Sequence, residues 1–385
     1  MANRCKVGNS RGCGSGVKDG ESPLSRLERI NPAACRVALP VSGQKTIIRQ
    51  RFRLYKCPKR YFWIGNLLLD VSIIIVSWNV RALLRMCLHS IYRSLSDSTI
   101  QVEVIVVDNN SQDGSAEMVA QEFPQVTLLR NDGNLGFTKA NNQGIALAKG
   151  RYVLLLNPDT ELAPGALTSL LNYADSNPDI GVVGPKLLFP DGSVQSSRRH
   201  FPTLLTGCIE STILQRFFPD HPALRRYYVL DASNDDVQEV DWVVGACMLV
   251  RREVIDQVGA FDERFFMYSE ELDWCYRIKR VGWRVAYLPA ARVIHYEAKS
   301  SEQNLLGRNI HFHDSKCKFF GKHYGYWQGS LLRLVIVFNF GFQIAEDVLK
   351  LLVVSRNREM RKGRIGMLAR AASWHLGRVF LGFGK

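Results

Sequence analysis

The chain has no CxxC pair, although nine cysteines are spread over its 385 residues, at positions 5, 13, 35, 57, 87, 208, 247, 275 and 317. Unpaired spacing and an odd count argue against a zinc cluster or a disulfide framework, and fit a reducing compartment. No apolar stretch of signal-peptide length stands near the first residue, where the text is basic and glycine-rich. The catalytic part is therefore expected to be cytoplasmic. No GxGxxG follows the first strand, where the turn reads VSWNVRALL. A nicotinamide-binding fold needs those glycines for backbone to approach the pyrophosphate. GxxxxGK[ST] is also missing, which excludes a P-loop. A membrane-spanning helix needs roughly 20 continuous apolar residues, and the best stretch free of charge, 334–345, is too short. There are no internal repeats.

The middle of the chain also has little net charge. Of the +14 total, residues 1–70 carry +10, from 14 basic and 4 acidic side chains. Residues 331–385 carry +7, from 10 and 3, and residues 71–330 hold 26 and 29, a net −3. A nucleic-acid binder more often carries its charge on the folded domain, so nucleic acid is not an expected partner. Basic ends suit an anionic membrane surface.

Three stretches of different character follow one another. Residues 1–69 form a basic N-terminal extension, rich in Gly and Ser, that is expected to be poorly ordered. Ordered chain begins at VSIIIVSWN, a β-branched buried strand. A helix follows, with Leu83, Leu84, Cys87, Leu88 and Ile91 at helical spacing. VEVIVVD, VTLLR, RYVLLL and IGVVGP are further strands, with helices between them. Asp113 or Ser111 can cap the helix after VEVIVVD. Such alternation predicts an α/β fold with a mostly parallel sheet built by right-handed crossovers. Residues 186–239 are irregular. VDWVVGACMLVRREVIDQVGAFDE then reads as strand, turn and short helix. FFMYSEELDWCYRIKRVGW is a helix with an acidic start and a basic end, matching its dipole. WRVAYLPAARVIHYE closes the stretch as strand and loop. The third stretch, 326–385, is basic and apolar. Its residues 330–354 fit an interfacial helix or helical pair lying on a membrane, with a helix packed on the protein body as the competing reading.

LLLNPDTEL, at 154–162, shows where chemistry would sit. A strand run straight into Asn157, Pro158 and Asp159 is the usual look of a parallel strand's carboxyl end, where open α/β sheets bind ligands. Ser77-Trp78-Asn79, Asp108-Asn109-Asn110, and Glu270-Glu271 with Asp273 fall at comparable places. One such site is weak evidence, since Asp108 alone reads as a turn residue. Four on one sheet edge mark a binding crevice.

VSIIIVSWN, VIVVDNNSQDGS, NDGNLGFTKANNQG, LLLNPDTEL, VVGACMLVRREVIDQVGAFDERFFMYSEELDWCYR and the later VIH, taken in that order, resemble glycosyltransferase family 2. The NLGFTKANNQG segment is most similar to bacterial rhamnosyltransferases that build surface polysaccharide. The likeness covers residues 71 to about 325. It implies the GT-A fold, with a central sheet flanked by helices, over a domain at 70–325, and leaves 326–385 as C-terminal amphipathic helices. It also implies an inverting, metal-dependent sugar transfer from a nucleotide-sugar donor to a glycan or lipid-linked glycan acceptor. Rhamnose from dTDP-rhamnose is the expected donor, with a UDP-hexose as the alternative and a non-catalytic assembly protein as a second. The expected place of work is the inner face of the cell membrane, with peripheral contact.

Residue roles follow from the same resemblance. The fourth strand of the family ends in a DxD-type motif that holds Mg2+ or Mn2+ on the donor diphosphate. Here Asn157 replaces the first acid and Asp159 remains, which is workable because such cations take one or two carboxylates and fill up with phosphate oxygens. His295 is a candidate second ligand, with a structural histidine as the competing reading. Asp108 matches the position that meets the nucleotide, and Ser77 and Asn79 would line the same pocket. Asn134, Gly136 and Asn141 belong to the donor-side segment, although Asn141 and Asn142 also suit a helix surface. An inverting transfer needs a carboxylate to take the acceptor proton. Glu271, in place of the family's aspartate, is the expected base and Asp273 the second choice. All three acids would also serve simply as an acidic first helical turn. Glu270, Trp242 and Gly245 are expected on the acceptor side, where Trp242 also fits plain core.

Overall fold

A computed structural model describes residues 69–95, 98–297, 305–353 and 357–379. The expectation for the N-terminal extension lies outside them, apart from residue 69. The β-strands are β1 (Val71–Ser77), β2 (Val102–Asp108), β3 (Thr127–Arg130), β4 (Tyr152–Leu156), β5 (Thr160–Leu162), β6 (Ile180–Leu188), β7 (Val194–Gln195), β8 (Arg198–Arg199), β9 (Gln238–Val240), β10 (Trp242–Val243), β11 (Cys247–Arg251) and β12 (Arg284–His295). The helices are α1 (Arg81–Ser94), α2 (Ser115–Glu122), α3 (Phe137–Leu147), α4 (Ala166–Ser176), α5 (Leu204–Ile209), α6 (Ile213–Phe217), α7 (Pro222–Tyr227), α8 (Arg252–Val258), α9 (Glu270–Arg280), α10 (Leu305–His323), α11 (Tyr326–Val353) and α12 (Arg358–Leu376).

The main sheet runs β3-β2-β1-β4-β11-β6-β12-β5. β1, β2, β3 and β4 pair in parallel, as do β6 and β12. β11 lies antiparallel between β4 and β6. This is the expected GT-A class of α/β sheet. Alternate residues of β1 and β4 enter opposite cores. Val71, Ile73, Ile75, Leu154 and Leu156 pack with α1, α2 and α4. Ile74, Val153 and Leu155 pack on the other face with α9 and the last helices. Both faces are covered, which is why these strands read as unbroken apolar runs rather than alternating ones.

The irregular stretch after β6 holds β7, β8 and the short helices α5, α6 and α7. Residues 330–353 are part of one 28-residue helix, α11, not a helical pair. Its Leu332, Ile336 and Phe340 are buried in the same core as α9. Arg333, itself buried, donates to Asp314 of α10 at 2.8 Å. Among the described residues no helix is long and apolar enough to cross a membrane.

Candidate active site

Backbone pairing puts the polar strand ends side by side. Ser77 is in register with Asp108, and the Asn109 N–H donates to Ser77 O at 2.8 Å. The Asn157 N–H donates to Ala246 O at 2.9 Å, tying the end of β4 to the turn before β11. A cavity of about 550 Å³ opens beside these ends. Its walls include Asn134, Gly136, Asn157, Asp159, Gly245, Glu270, Glu271 and His295, from the sequence candidates. That volume falls in the range of ordinary ligand sites.

Asp159 and His295 meet on one wall. His295 Nε2 lies 3.4 Å from Asp159 Oδ1, and both side chains are buried. The ring is oriented from behind, with Nδ1 2.8 Å from Gln195 Oε1, while Gln195 Nε2 donates to Glu297 at 3.0 Å. Because Gln195 uses its NH2 on Glu297, its oxygen faces the Nδ1 side of the imidazole, and Nε2 is the ring nitrogen turned to Asp159. Asn157 Oδ1 on the same wall is buried without a partner. A carboxylate oxygen, an imidazole nitrogen and an unfilled amide oxygen are atom types that suit a divalent cation. Among the described residues no group of three or more His, Cys, Asp or Glu side chains forms a metal site. The chain thus offers a partial ligand set.

Glu270 and Glu271 begin α9, after Tyr268 and Ser269, two consecutive non-glycine residues with φ of 68° and 61°. Such backbone costs on the order of 1–3 kcal/mol per residue and collects at functional sites. It delivers two carboxyls to the cavity. One oxygen of each, Oε2, is buried without a hydrogen-bond partner. Burial pushes the Glu270 carboxyl well above its ordinary value, with the Glu271 charge adding to it. Burial also raises Glu271, opposed by the backbone N–H groups of Glu271, Gly245 and Leu272. A carboxylate poised this way takes up a proton more readily than a free one.

Gly136 is required by its backbone. Its φ is +86°, and a Cβ there would meet Phe266 at 2.7 Å. Asn134 Oδ1 accepts from the Gly136 N–H at 3.0 Å, holding the loop that starts α3.

Other candidates lie outside the cavity. Asp273 is a correction to the reading of a second base. It is fully buried, with Oδ1 2.5 Å from Lys322 Nζ and 2.6 Å from His323 Nε2, and Oδ2 2.9 Å from Arg277 Nε. Burial works against its charge, but the bonds from His323 and Lys322 and the Arg277 charge outweigh it and hold the carboxyl below its usual range. It fastens α9 to α10. Asn141, expected on the donor side, donates from Nδ2 to Phe137 O within α3 at 2.9 Å. Asn79 is turned to the neighbouring loop, accepting from the Gln112 N–H at 2.7 Å. Ser77 and Asp108 stand at their strand ends but do not line the cavity; Ser77 Oγ and Asp108 Oδ1 are buried without partners. Trp242 donates from Nε1 to His200 O at 3.1 Å and lines a smaller cavity of about 170 Å³. That second space shares Glu271 and Tyr268 with the first.

Several wall residues were not selected from sequence. Asn109 donates from Nδ2 to Gly136 O at 3.1 Å, joining β2 to the α3 loop. Its place in Asp108-Asn109-Asn110 was the available signal. Arg308 and His311 reach the cavity from α10, and nothing local in the text around 305–323 marks them. His311 stacks on Phe266 with ring centroids 4.4 Å apart.

The crevice lies at the carboxyl ends of parallel strands, with acids at both walls. The family model "Glycosyl transferase family 2" matches residues 72–259. An N-acetylglucosaminyl-diphospho-decaprenol L-rhamnosyltransferase of Mycobacterium tuberculosis is 35% identical over 242 residues, 60% of this chain and 78% of that protein. Rhamnosyltransferase WbbL of Escherichia coli is 27% identical over 219 residues, 54% of this chain and 78% of that protein. A solved mannosyltransferase from Pyrobaculum calidifontis, in complex with GDP-Man and Mn2+, overlays at 15% identity and a TM-score of 0.46, over 82% of this chain and 91% of that one, a likeness too loose to carry argument. The chain belongs to glycosyltransferase family 2, and it is a glycosyltransferase.

Proposed function

We propose that this enzyme transfers a sugar with inversion, from a nucleotide-sugar donor to a glycan or lipid-linked glycan, in the synthesis of cell-surface polysaccharide. Rhamnose from dTDP-rhamnose is the favoured donor, supported by the M. tuberculosis and E. coli relatives, both of them rhamnosyltransferases. The diphospho-decaprenol named for the former supports a lipid-linked diphosphate as acceptor. The enzyme would then work in the cytoplasm, as a peripheral protein at the inner face of the membrane.

One observation carries the mechanism. Glu271, raised by burial and with one carboxyl oxygen unpartnered, sits in the same cavity as the Asp159–His295 pair. Asp159 and His295 would hold Mg2+ or Mn2+, which when bound neutralises charge on the departing diphosphate. The acceptor hydroxyl would enter from the smaller cavity, between Trp242 and Glu271. Glu271 accepts its proton as the new C1–O bond forms, and the donor's C1–O bond to phosphate breaks with its electron pair leaving on the nucleoside diphosphate. Asn109 and Asn134, by bracing the Gly136 loop, shape the donor side.

Binding of dTDP-rhamnose, UDP-glucose, UDP-galactose and GDP-mannose, each with and without Mn2+, tests the reading. Metal-dependent preference for dTDP-rhamnose supports it. Preference for a UDP-sugar keeps the mechanism and removes the rhamnose assignment. Binding of none of them favours a non-catalytic role. Glu271→Gln is expected to lower turnover by about 10²–10⁴-fold, the usual worth of a general base, with donor affinity unchanged.

A further inference from the structure

α11 is apolar on two opposite faces, and the protein covers one. Leu332, Ile336 and Phe340 face inward and are buried. Trp327, Leu331, Leu334, Phe338, Leu349 and Leu352 recur at steps of three, four and eleven, and face outward. At about 100° per residue they share one stripe of the helix. Trp327 is 76% exposed, Phe338 72% and Leu352 79%. A helix that is apolar all round needs cover all round.

Every charged residue of α11 is tied to another element or to a neighbour on the helix. Arg333 is paired with Asp314, Glu346 with Arg216 and Lys350, and Asp347 with Arg361 and Arg364. The outer stripe carries no charge along a helix about 42 Å long at 1.5 Å per residue. α6 extends the surface. It is fixed to the flank of α11 by the Ile213 N–H donating to Asn339 Oδ1 at 2.7 Å and by the Arg216–Glu346 pair. There Leu214, Phe217 and Phe218 are also exposed.

We infer that this surface, the outer stripe of α11 with α6 beside it, docks in the plane of an anionic lipid bilayer. The charge beside it selects that occupant. Residues 357–379, which include α12, hold six Lys/Arg and one acid, a net +5. Arg358, Lys362, Arg370 and Arg378 are exposed. α12 is antiparallel to α11, since Arg364 bonds Asp347 near one end while Arg333 approaches His375 near the other. A second copy docked isologously on α11 would bring two such basic helices together. A lipid surface with acidic headgroups takes the apolar stripe and the cations at once. The inference deepens the peripheral placement proposed above by naming the surface and its partner.

Flotation of the full-length protein with phosphatidylglycerol-containing vesicles, against pure phosphatidylcholine vesicles, tests it. Wild type is expected to float with the anionic vesicles and to be released by salt. The combined variant Leu331→Glu, Phe338→Glu, Leu352→Glu is expected to bind at least about a hundredfold more weakly, since each loses a buried apolar side chain. Its thermal unfolding and nucleotide-sugar binding stay at wild-type values, because all three side chains are exposed. Arg358→Gln with Lys362→Gln and Arg370→Gln is expected to remove the preference for anionic vesicles. Wild type that ignores anionic vesicles overturns the inference, as does a triple Glu variant that floats equally well. So does a wild-type dimer that the triple Glu variant splits, which makes a second copy the occupant. Nucleotide-sugar binding on the same samples reports separately on the transferase reading.

Discussion

Glu270 and Asp273 lie three residues apart on α9 and answer pH in opposite senses. The Glu270 carboxyl is raised above its ordinary 4.5 by burial and by Glu271. The stability it lends is full below that ordinary value and is lost as pH rises through the folded value. Glu270→Gln removes this loss. In the ligand-free protein the variant is expected to gain stability over wild type as pH rises from about 4.3, visible as a diverging pair of melting curves. No divergence between acid and neutral pH would contradict a buried, under-bonded carboxyl. Asp273 is held low, so its contribution is present above the ordinary range and is lost as pH falls through the folded value. Asp273→Asn leaves Lys322 and Arg277 without their shared partner, and breaking a buried pair costs about 3–5 kcal/mol. Urea unfolding should show that loss at neutral pH. Any enzyme that remains folded should still turn over substrate, which a true base at this position would not allow.

Gly136 joins residue to element, since its backbone lets the loop after β3 pass against Phe266 and begin α3. Gly136→Ala meets Phe266 at 2.7 Å and takes a φ of +86° that an L side chain resists. The strain is about 1–3 kcal/mol, and the loop is expected to shift rather than the sheet. Donor affinity should fall more than the melting temperature does. An unchanged donor affinity would place the donor away from this loop.

The same elements show what the text could carry. β1, β2 and β4 were legible because both their faces are buried and turn residues end them. Asp159 and His295 were legible as cavity residues because one stands in the turn just after β4 and the other ends β12. The antiparallel run of β11 was not, since direction is set by connection and not by periodicity. Asp273 was misplaced because its partners, Lys322 and His323, are about 50 residues away in the chain. Arg308 and His311 escaped for a related reason: α10 reaches the cavity by tertiary packing alone. Asp113 or Ser111 was expected to cap the helix after β2, and Asp113 serves two helices. It accepts from the Arg81 N–H at 2.7 Å and the Ser115 N–H at 3.0 Å, at the starts of α1 and α2.

For the whole molecule the last two helices have a second duty, apart from any membrane. The inner face of α11 and Leu368 and Ala371 of α12 belong to the core that also holds α9. A chain ended at residue 325 would strip Leu332, Ile336, Phe340, Leu368 and Ala371 from the core that holds Phe319 and Phe320 of α10. It would also leave Asp314 without Arg333, its partner at 2.8 Å. Burying a large apolar side chain is worth about 1.5–3 kcal/mol, and whole domains are stable by only about 5–15 kcal/mol. The truncated chain is therefore expected to aggregate or melt far below wild type, with no vesicles present. Loss of vesicle binding on truncation would then report on folding, not on lipid contact. The outer-face Glu variants separate the two, since they leave the inner face intact. A truncated protein that melts like wild type and still binds nucleotide-sugar would show that α11 and α12 are dispensable to the core, and that the inward packing of Leu332, Ile336 and Phe340 adds little to it.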